Sequence, residues 1–227
     1  TTVTREAIIK CLSPGFNPRT AVAIGVDNGI EKHYVIGNRH GIFEMGVTRD
    51  WEEIERLRNR YGAIMVIDAL PYPNTPTQLA EKYPGKVFIH FFQADKKNMG
   101  VIRWDNRVVK SDRTKIIDAV VAEINSGDVT FNMTQTQLED YIHHWEQVFR
   151  VIEKTPMGTM KPRWQTIEGR ADHFVFAHLL QRIALEKTMS FGGIVISPLP
   201  READGVLRQR FDEFLHHHAV SPFRHDG

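Results

Sequence analysis

Ala21-Val22-Ala23-Ile24-Gly25-Val26-Asp27 and Ala63-Ile64-Met65-Val66-Ile67-Asp68 are the two stretches whose reading decides the fold. Each is a near-continuous apolar run, the pattern of a strand covered on both faces. Each ends in a carboxylate. An unpaired buried carboxylate is expensive to desolvate. Two of them at the same kind of address imply a positive group between them, and a divalent cation is the usual one.

The surrounding sequence gives these strands a context. Asn28-Gly29 is a hairpin turn signal. With strands at Lys32–Asn38 and Gly41–Val47, residues 21–47 read as a three-stranded antiparallel meander. Asp50–Tyr61 reads as a short helix with Asp50 as its N-cap and Ile54 and Leu57 on its apolar face. The second buried strand stops before Pro71 and Pro73. Thr75–Tyr83 reads as a helix capped by Thr75, with Pro76 at its first position, and Val87–Phe92 as a fifth strand. Strand, helix and strand with such apolar strands argue a parallel arrangement. Gly100–Lys110 reads as a small hairpin turning at Asp105-Asn106. Ser111 or Asp112 caps a helix over Arg113–Asn125. Gln135–Trp145 is a further helix, Gln147–Thr155 and Arg163–Ile167 are two strands around a loop, and Ala171–Lys187 is a long helix.

The fold class is therefore α/β. The expected core is a mixed five-stranded sheet, three antiparallel strands and then parallel strands, flanked by helices and carrying an extra β-hairpin. The organisation is an N-terminal arm over 1–19, the α/β domain over 20–195 and a C-terminal tail over 196–227. Ile8, Ile9 and Leu12 would pack the arm on the body. Ser197–Pro200 reads as a linker and Glu202–His218 as a C-terminal helix or tail. Adjacent His216, His217 and His218 point in different directions, so partner docking suits that run better than a joint metal site.

If the second buried strand pairs in parallel beside the first, Asp27 and Asp68 are neighbours at the carboxyl edge of the sheet, where open α/β sheets bind ligands. Asp172 opens the long helix. Phe176, Leu179, Leu180 and Ile183 follow it at helical spacing, so it shares their inward face. Three carboxylates with few nitrogen or sulfur ligands suit Mg²⁺ or Mn²⁺ better than zinc. His173, next to Asp172, is open to a role as ligand or proton carrier, but the expectation is that it faces away, because neighbours on a helix do not share a face.

The chain has 227 residues, is 41% hydrophobic and 25% charged, and has a net charge of +1. Such a composition is that of a soluble globular protein, and any polyanion site must be a local patch. Lys96, Lys97, Arg103, Arg107, Lys110, Arg113 and Lys115 follow the fifth strand. Lys154, Lys161 and Arg163 decorate the later hairpin, and Arg170 precedes Asp172. As a set they flank the acidic edge, as phosphate contacts would. The single Cys11 excludes an internal disulfide framework and fits a reducing compartment. No apolar run approaches a membrane span and no signal peptide opens the chain. A first residue of Thr1 suggests a processed product or a piece of a longer protein.

The layout resembles that of the ribonuclease H-like nuclease fold. More closely, the chain resembles the nuclease domain of the large terminase subunit of tailed bacteriophages. The features that carry this are the Asp27 strand running into a hairpin, the strand end Val66-Ile67-Asp68-Ala69, the segment Lys110–Asn125 with Arg113 and Ile117-Asp118, the hairpin around 147–167, and Ala171-Asp172-His173. The resemblance covers about residues 20–190. It implies a metal-dependent endonuclease of the host cytoplasm that cuts concatemeric double-stranded viral DNA during genome packaging, by two-metal phosphodiester hydrolysis. Asp27, Asp68 and Asp172 would be its acidic triad, holding two divalent cations, Mg²⁺ or Mn²⁺. In the family a motor precedes the nuclease, and no G-x-x-x-x-G-K-[ST] loop is present here. The implied partners are DNA, the portal, the small terminase subunit and the ATPase domain, with no membrane. The competing expectations are a Holliday junction resolvase, a transposase-type nuclease, or a domain that binds DNA without cutting it. A phosphate-binding surface gains nothing from three carboxylates, which argues against the last.

Overall fold

The computed structural model describes residues 2–13, 15, 20–93 and 100–190. Their strands are β1 (Ala23–Asn28), β2 (Lys32–Asn38), β3 (Gly41–Thr48), β4 (Ile64–Asp68), β5 (Val87–Gln93), β6 (Ile102–Asp105), β7 (Val108–Asp112), β8 (Val148–Lys154) and β9 (Met160–Thr166). The helices are α1 (Arg5–Lys10), α2 (Trp51–Tyr61), α3 (Asn74–Lys82), α4 (Arg113–Ser126), α5 (Glu139–Glu146) and α6 (His173–Ser190).

One mixed sheet runs in the order β3-β2-β1-β4-β5-β7-β6. β1 to β3 form the expected antiparallel meander, and β1, β4, β5 and β7 are mutually parallel. The sheet has seven strands rather than the expected five. The 100–112 hairpin does turn at Asn106, whose φ is +49°. Instead of standing apart, it docks β7 in parallel on β5, with Val109 fully buried. A free parallel edge on an apolar strand is unstable, and the hairpin covers it. The β8–β9 hairpin is a separate two-stranded sheet.

Both faces of the sheet are covered, as the apolar runs require. On one face Ile54 and Leu57 of α2 and Leu79 and Ala80 of α3 pack on Ile24, Val26, Met65 and Ile67. On the other, Ile116, Ile117 and Val120 of α4 and Ala177, Leu180 and Ala184 of α6 pack on Ala23, Val66, Phe88 and Val109. Ile8 and Cys11, from the N-terminal segment, are buried in this second layer. Cys11 is a free thiol donating to the carbonyls of Ala7 at 3.3 Å and Ile124 at 3.4 Å.

Several helix ends differ from the sequence reading. Asp50 precedes α2 but its side chain makes no capping bond; Thr48 Oγ1 instead accepts from the Asp50 N–H at 3.1 Å. Asn74 starts α3, one residue before the expected Thr75, because Thr77 already bonds back to the Pro73 carbonyl. Of the two candidates for α4, Asp112 is the cap, accepting from Lys115 N at 2.8 Å. α6 begins at His173, not Ala171, which places Asp172 at its cap. The β8–β9 hairpin is tethered to α4 through Asp118, which accepts from Trp164 Nε1 at 2.8 Å and Arg150 Nε at 3.1 Å. The expected linker 197–200, the tail 202–218 with its histidine run, and Lys96 and Lys97 lie outside the described residues. Among those described, no helix is long and apolar enough to cross a membrane.

Candidate metal centre

Parallel pairing of β1 and β4 sets Val26 against Ile67, so Asp27 and Asp68 follow side by side at the carboxyl edge. Hairpin pairing sets Asp27 against His33 on the other side. Asp27 therefore stands between a carboxylate on β4 and an imidazole on β2. Asp172 reaches the same edge from the other layer. Its carbonyl accepts from Val175 N at 2.9 Å and Phe176 N at 3.3 Å, opening α6. Its Oδ2 accepts from Thr166 Oγ1 at the end of β9. Sheet, hairpin and helix thus each fix one part of the acidic edge.

Burial explains the electrostatics. Desolvation pushes Asp68 up to about 7, with Asp27 adding repulsion and the Leu70 N–H, at 3.3 Å, opposing it. Asp27 is also raised by burial and by Asp172, against the stabilising bond from His173. Arg113, at the first position of α4, lies 5.0 Å over the Phe176 ring and feels both Asp172 and Asp68.

His173 does not face away. Its Nδ1 is 2.9 Å from Asp27 Oδ2, and this bond raises the histidine's pKa. The helical-neighbour argument fails because Asp172 lies at the cap, outside the regular turn. The His173 ring stacks on His33 at 4.6 Å and 23°. His33 is held down to about 4 by burial and by His173 and His144. His144 in turn accepts from the Phe174 N–H through Nδ1 at 3.0 Å, satisfying a first-turn donor of α6. Sequence reasoning missed His33. The available signal was the hairpin: it brings the first residues of the second strand beside Asp27, and the observed register selects His33 among them.

Among the described residues, Asp27, His33 and His173 each offer a ligand atom within 4.8 Å of the others. Asp68 and Asp172 belong to the same edge but not to that tight set. The residues fit a divalent cation. Asp27 and Asp68 are both raised by desolvation and by a neighbouring acid, a strain that a cation relieves, and the buried His33 Nδ1 makes no hydrogen bond of good geometry.

The basic residues are arranged unevenly. Arg103 is exposed and pairs across β6–β7 with half-buried Lys110. Lys154, Lys161 and Arg170 are exposed. Arg163 is bonded to Glu153 at 3.3 Å, and Arg107 to Glu81 at 3.2 Å. Arg113 is coupled to the acids.

The raised Asp68 predicts a pH effect in EDTA. The unfolded chain ionises near 3.8 and the folded one near 7, so rising pH favours unfolding across that window, and the loss is complete above it. Asp68→Asn should flatten this slope and raise the melting temperature near pH 8 by several degrees, on the order of 2 kcal/mol. Thermal melts near pH 5 and pH 8 check it; a wild-type slope in the variant would refute the assignment.

No protein-family model and no curated protein sequence matches this chain. Solved structures do. The nuclease domain of the large terminase subunit gp2 of bacterial virus Sf6 aligns with a TM-score of 0.57 at 13% identity, covering 78% of this chain and 96% of that one. A variant of that domain with manganese and beta-thujaplicinol gives 0.57 at 11% identity, with the same coverage. This chain has the fold of a large-terminase nuclease domain. That is the ribonuclease H-like arrangement expected from the sequence, with the β6–β7 hairpin added to its sheet. The large terminase nuclease from thermophilic phage G20c with bound magnesium aligns at a TM-score of 0.49 and 12% identity, over 74% of this chain and 83% of that one.

Proposed function

We propose that this chain is the nuclease of a viral DNA-packaging machine, a divalent-cation-dependent endonuclease that cuts concatemeric double-stranded DNA. The observation that carries this reading is the convergence of Asp27, Asp68 and Asp172 at one sheet edge of a terminase-nuclease fold. Two divalent cations, Mg²⁺ or Mn²⁺, held by these acids would supply electrophilic stabilisation of the phosphodiester and an acidified water. The manganese carried by the Sf6 domain supports this choice of ion.

The residues of the chain do the positioning. Asp27 and Asp68 sit on rigid parallel strands, so their separation is set by the sheet. Thr166 and the first turn of α6 orient Asp172. Arg113, which feels the same acids, would meet a phosphate. Arg103, Lys110, Lys154, Lys161 and Arg170, with Lys96 and Lys97, would contact the flanking backbone without reading sequence, and Arg163 would join them on leaving Glu153. The small terminase subunit, the portal and an ATPase motor are the partners this role requires, in the host cytoplasm.

Supercoiled plasmid incubated with Mn²⁺, Mg²⁺ or EDTA tests the proposal. Nicking and linearisation with either cation and none in EDTA are expected. Retardation of plasmid without cutting would leave only a DNA-binding domain, and preferential cutting of four-way junctions would point to a resolvase.

A further inference from the structure

Asp27 has two kinds of neighbour. On the β4 side is Asp68, an oxygen donor; on the β2 side are the nitrogen donors His33 and His173. We propose that Asp27, His33 and His173 bind one first-row transition ion, Mn²⁺, Co²⁺ or Zn²⁺, in preference to Mg²⁺. This deepens the nuclease reading and rests on its claim that Asp27 holds a cation. It makes the two cations of that reading unequal, one nitrogen-ligated and one held by oxygen alone.

Three observations carry it. His33 is 7% exposed, its buried Nδ1 makes no hydrogen bond of good geometry, with only the Glu31 backbone near the ring, and the ring offers a nitrogen within 4.8 Å of the Asp27 and His173 donor atoms. His173 Nδ1 and Asp27 Oδ2 are 2.9 Å apart. Ligands at about 2.1 Å from one ion stand roughly 3–3.5 Å from each other, so this pair needs little movement. The rings are also braced: His33 stacks on His173 at 4.6 Å and meets the Phe174 edge at 4.9 Å. Nitrogen-containing sites bind first-row ions in the order Mn²⁺ below Co²⁺, with Zn²⁺ well suited to imidazole and Mn²⁺ the weakest of the three, whereas Mg²⁺ favours oxygen donors and retains its waters.

The test is Co²⁺ titration of the EDTA-stripped chain, read by ligand-field absorption, with Mg²⁺ as competitor. The wild type should give a nitrogen-ligated spectrum that excess Mg²⁺ does not erase. His33→Gln and His173→Gln should each weaken Co²⁺ binding about tenfold or more, and Asp68→Asn should keep the spectrum. Melting curves without metal establish that the variants fold; the His173 side chain is 45% exposed, so its replacement should leave the fold intact. In the unmodified chain, Zn²⁺ should shift the imidazole resonances of His33 and His173, a readout that needs no variant. Wild-type Co²⁺ affinity in both histidine variants overturns the inference. If Asp68→Asn alone abolishes the spectrum, the ions sit among the carboxylates, and the inference falls while the nuclease reading stands. A retained histidine-dependent spectrum in a chain that never cuts DNA supports the inference and removes the nuclease reading.

Discussion

Asp27→Asn is expected to reduce divalent-dependent plasmid cleavage by about 10³-fold or more, the scale of losing a preorganised charge at a reacting phosphate. Asp27 is the carboxylate shared by the two sides of the edge, lying between Asp68 and His33. The substitution keeps the side-chain shape and removes only the charge. Stability should move the other way. Burial and Asp172 raise the Asp27 pKa, so above the ordinary carboxylate range its ionised form opposes folding. In EDTA at neutral pH the variant should melt at or above the wild-type temperature. Cleavage at the wild-type rate by a folded Asp27→Asn protein would end the proposal that this edge is the catalytic centre. A lower melting temperature would show that the carboxylate is held for structure.

Gly25→Ala should be the most damaging added methyl among the described glycines. A Cβ at Gly25 would stand 2.1 Å from the Ala177 carbonyl oxygen and 2.1 Å from the Gln181 nitrogen, and 2.7 Å from the Leu180 carbonyl carbon. All three are backbone atoms of α6, so no side chain can rotate away. Either β1 or α6 must move. The expected loss is about 3 kcal/mol or more, or ~10 °C in melting temperature. Activity should fall further than stability. The N-terminal end of α6 holds Asp172 at its cap and His173 in its first turn, and a displaced helix withdraws both from the strand ends. Gly100→Ala is the control: its Cβ would meet only the Ile102 carbonyl, at 3.6 Å. Equal melting temperatures for the two variants would refute the close-approach argument.

The sequence carried the sheet well because burial on both faces leaves a plain signature. Continuous apolar runs from Ala21 and Ala63, each closed by an acid, announce covered parallel strands, and parallel pairing then makes Asp27 and Asp68 neighbours. The fate of the 100–112 hairpin was not legible. Its turn was visible at Asn106, but nothing local says whether β7 pairs with β5 or stands alone; that depends on an unfilled sheet edge elsewhere. Asp172 was recognisable as a helix-start acid. Its bond from Thr166, six residues earlier, depends on where β9 ends, which no periodicity encodes.

By itself, then, the sequence determined the strand order of the core and the two acids at its edge, since both follow from hydrophobic patterning and the short reach of connections. Tertiary structure alone decided which side chains meet Asp27 from outside its own sheet. His173 turns inward because α6 starts one residue after Asp172, and that start is fixed by His144 on α5 accepting the Phe174 N–H. A helix's first turn takes its donors' partners from whatever packs against it. His173 and Asp172 are therefore brought to the candidate centre by packing, whereas Asp27, Asp68 and His33 reach it through the strands and their hairpin.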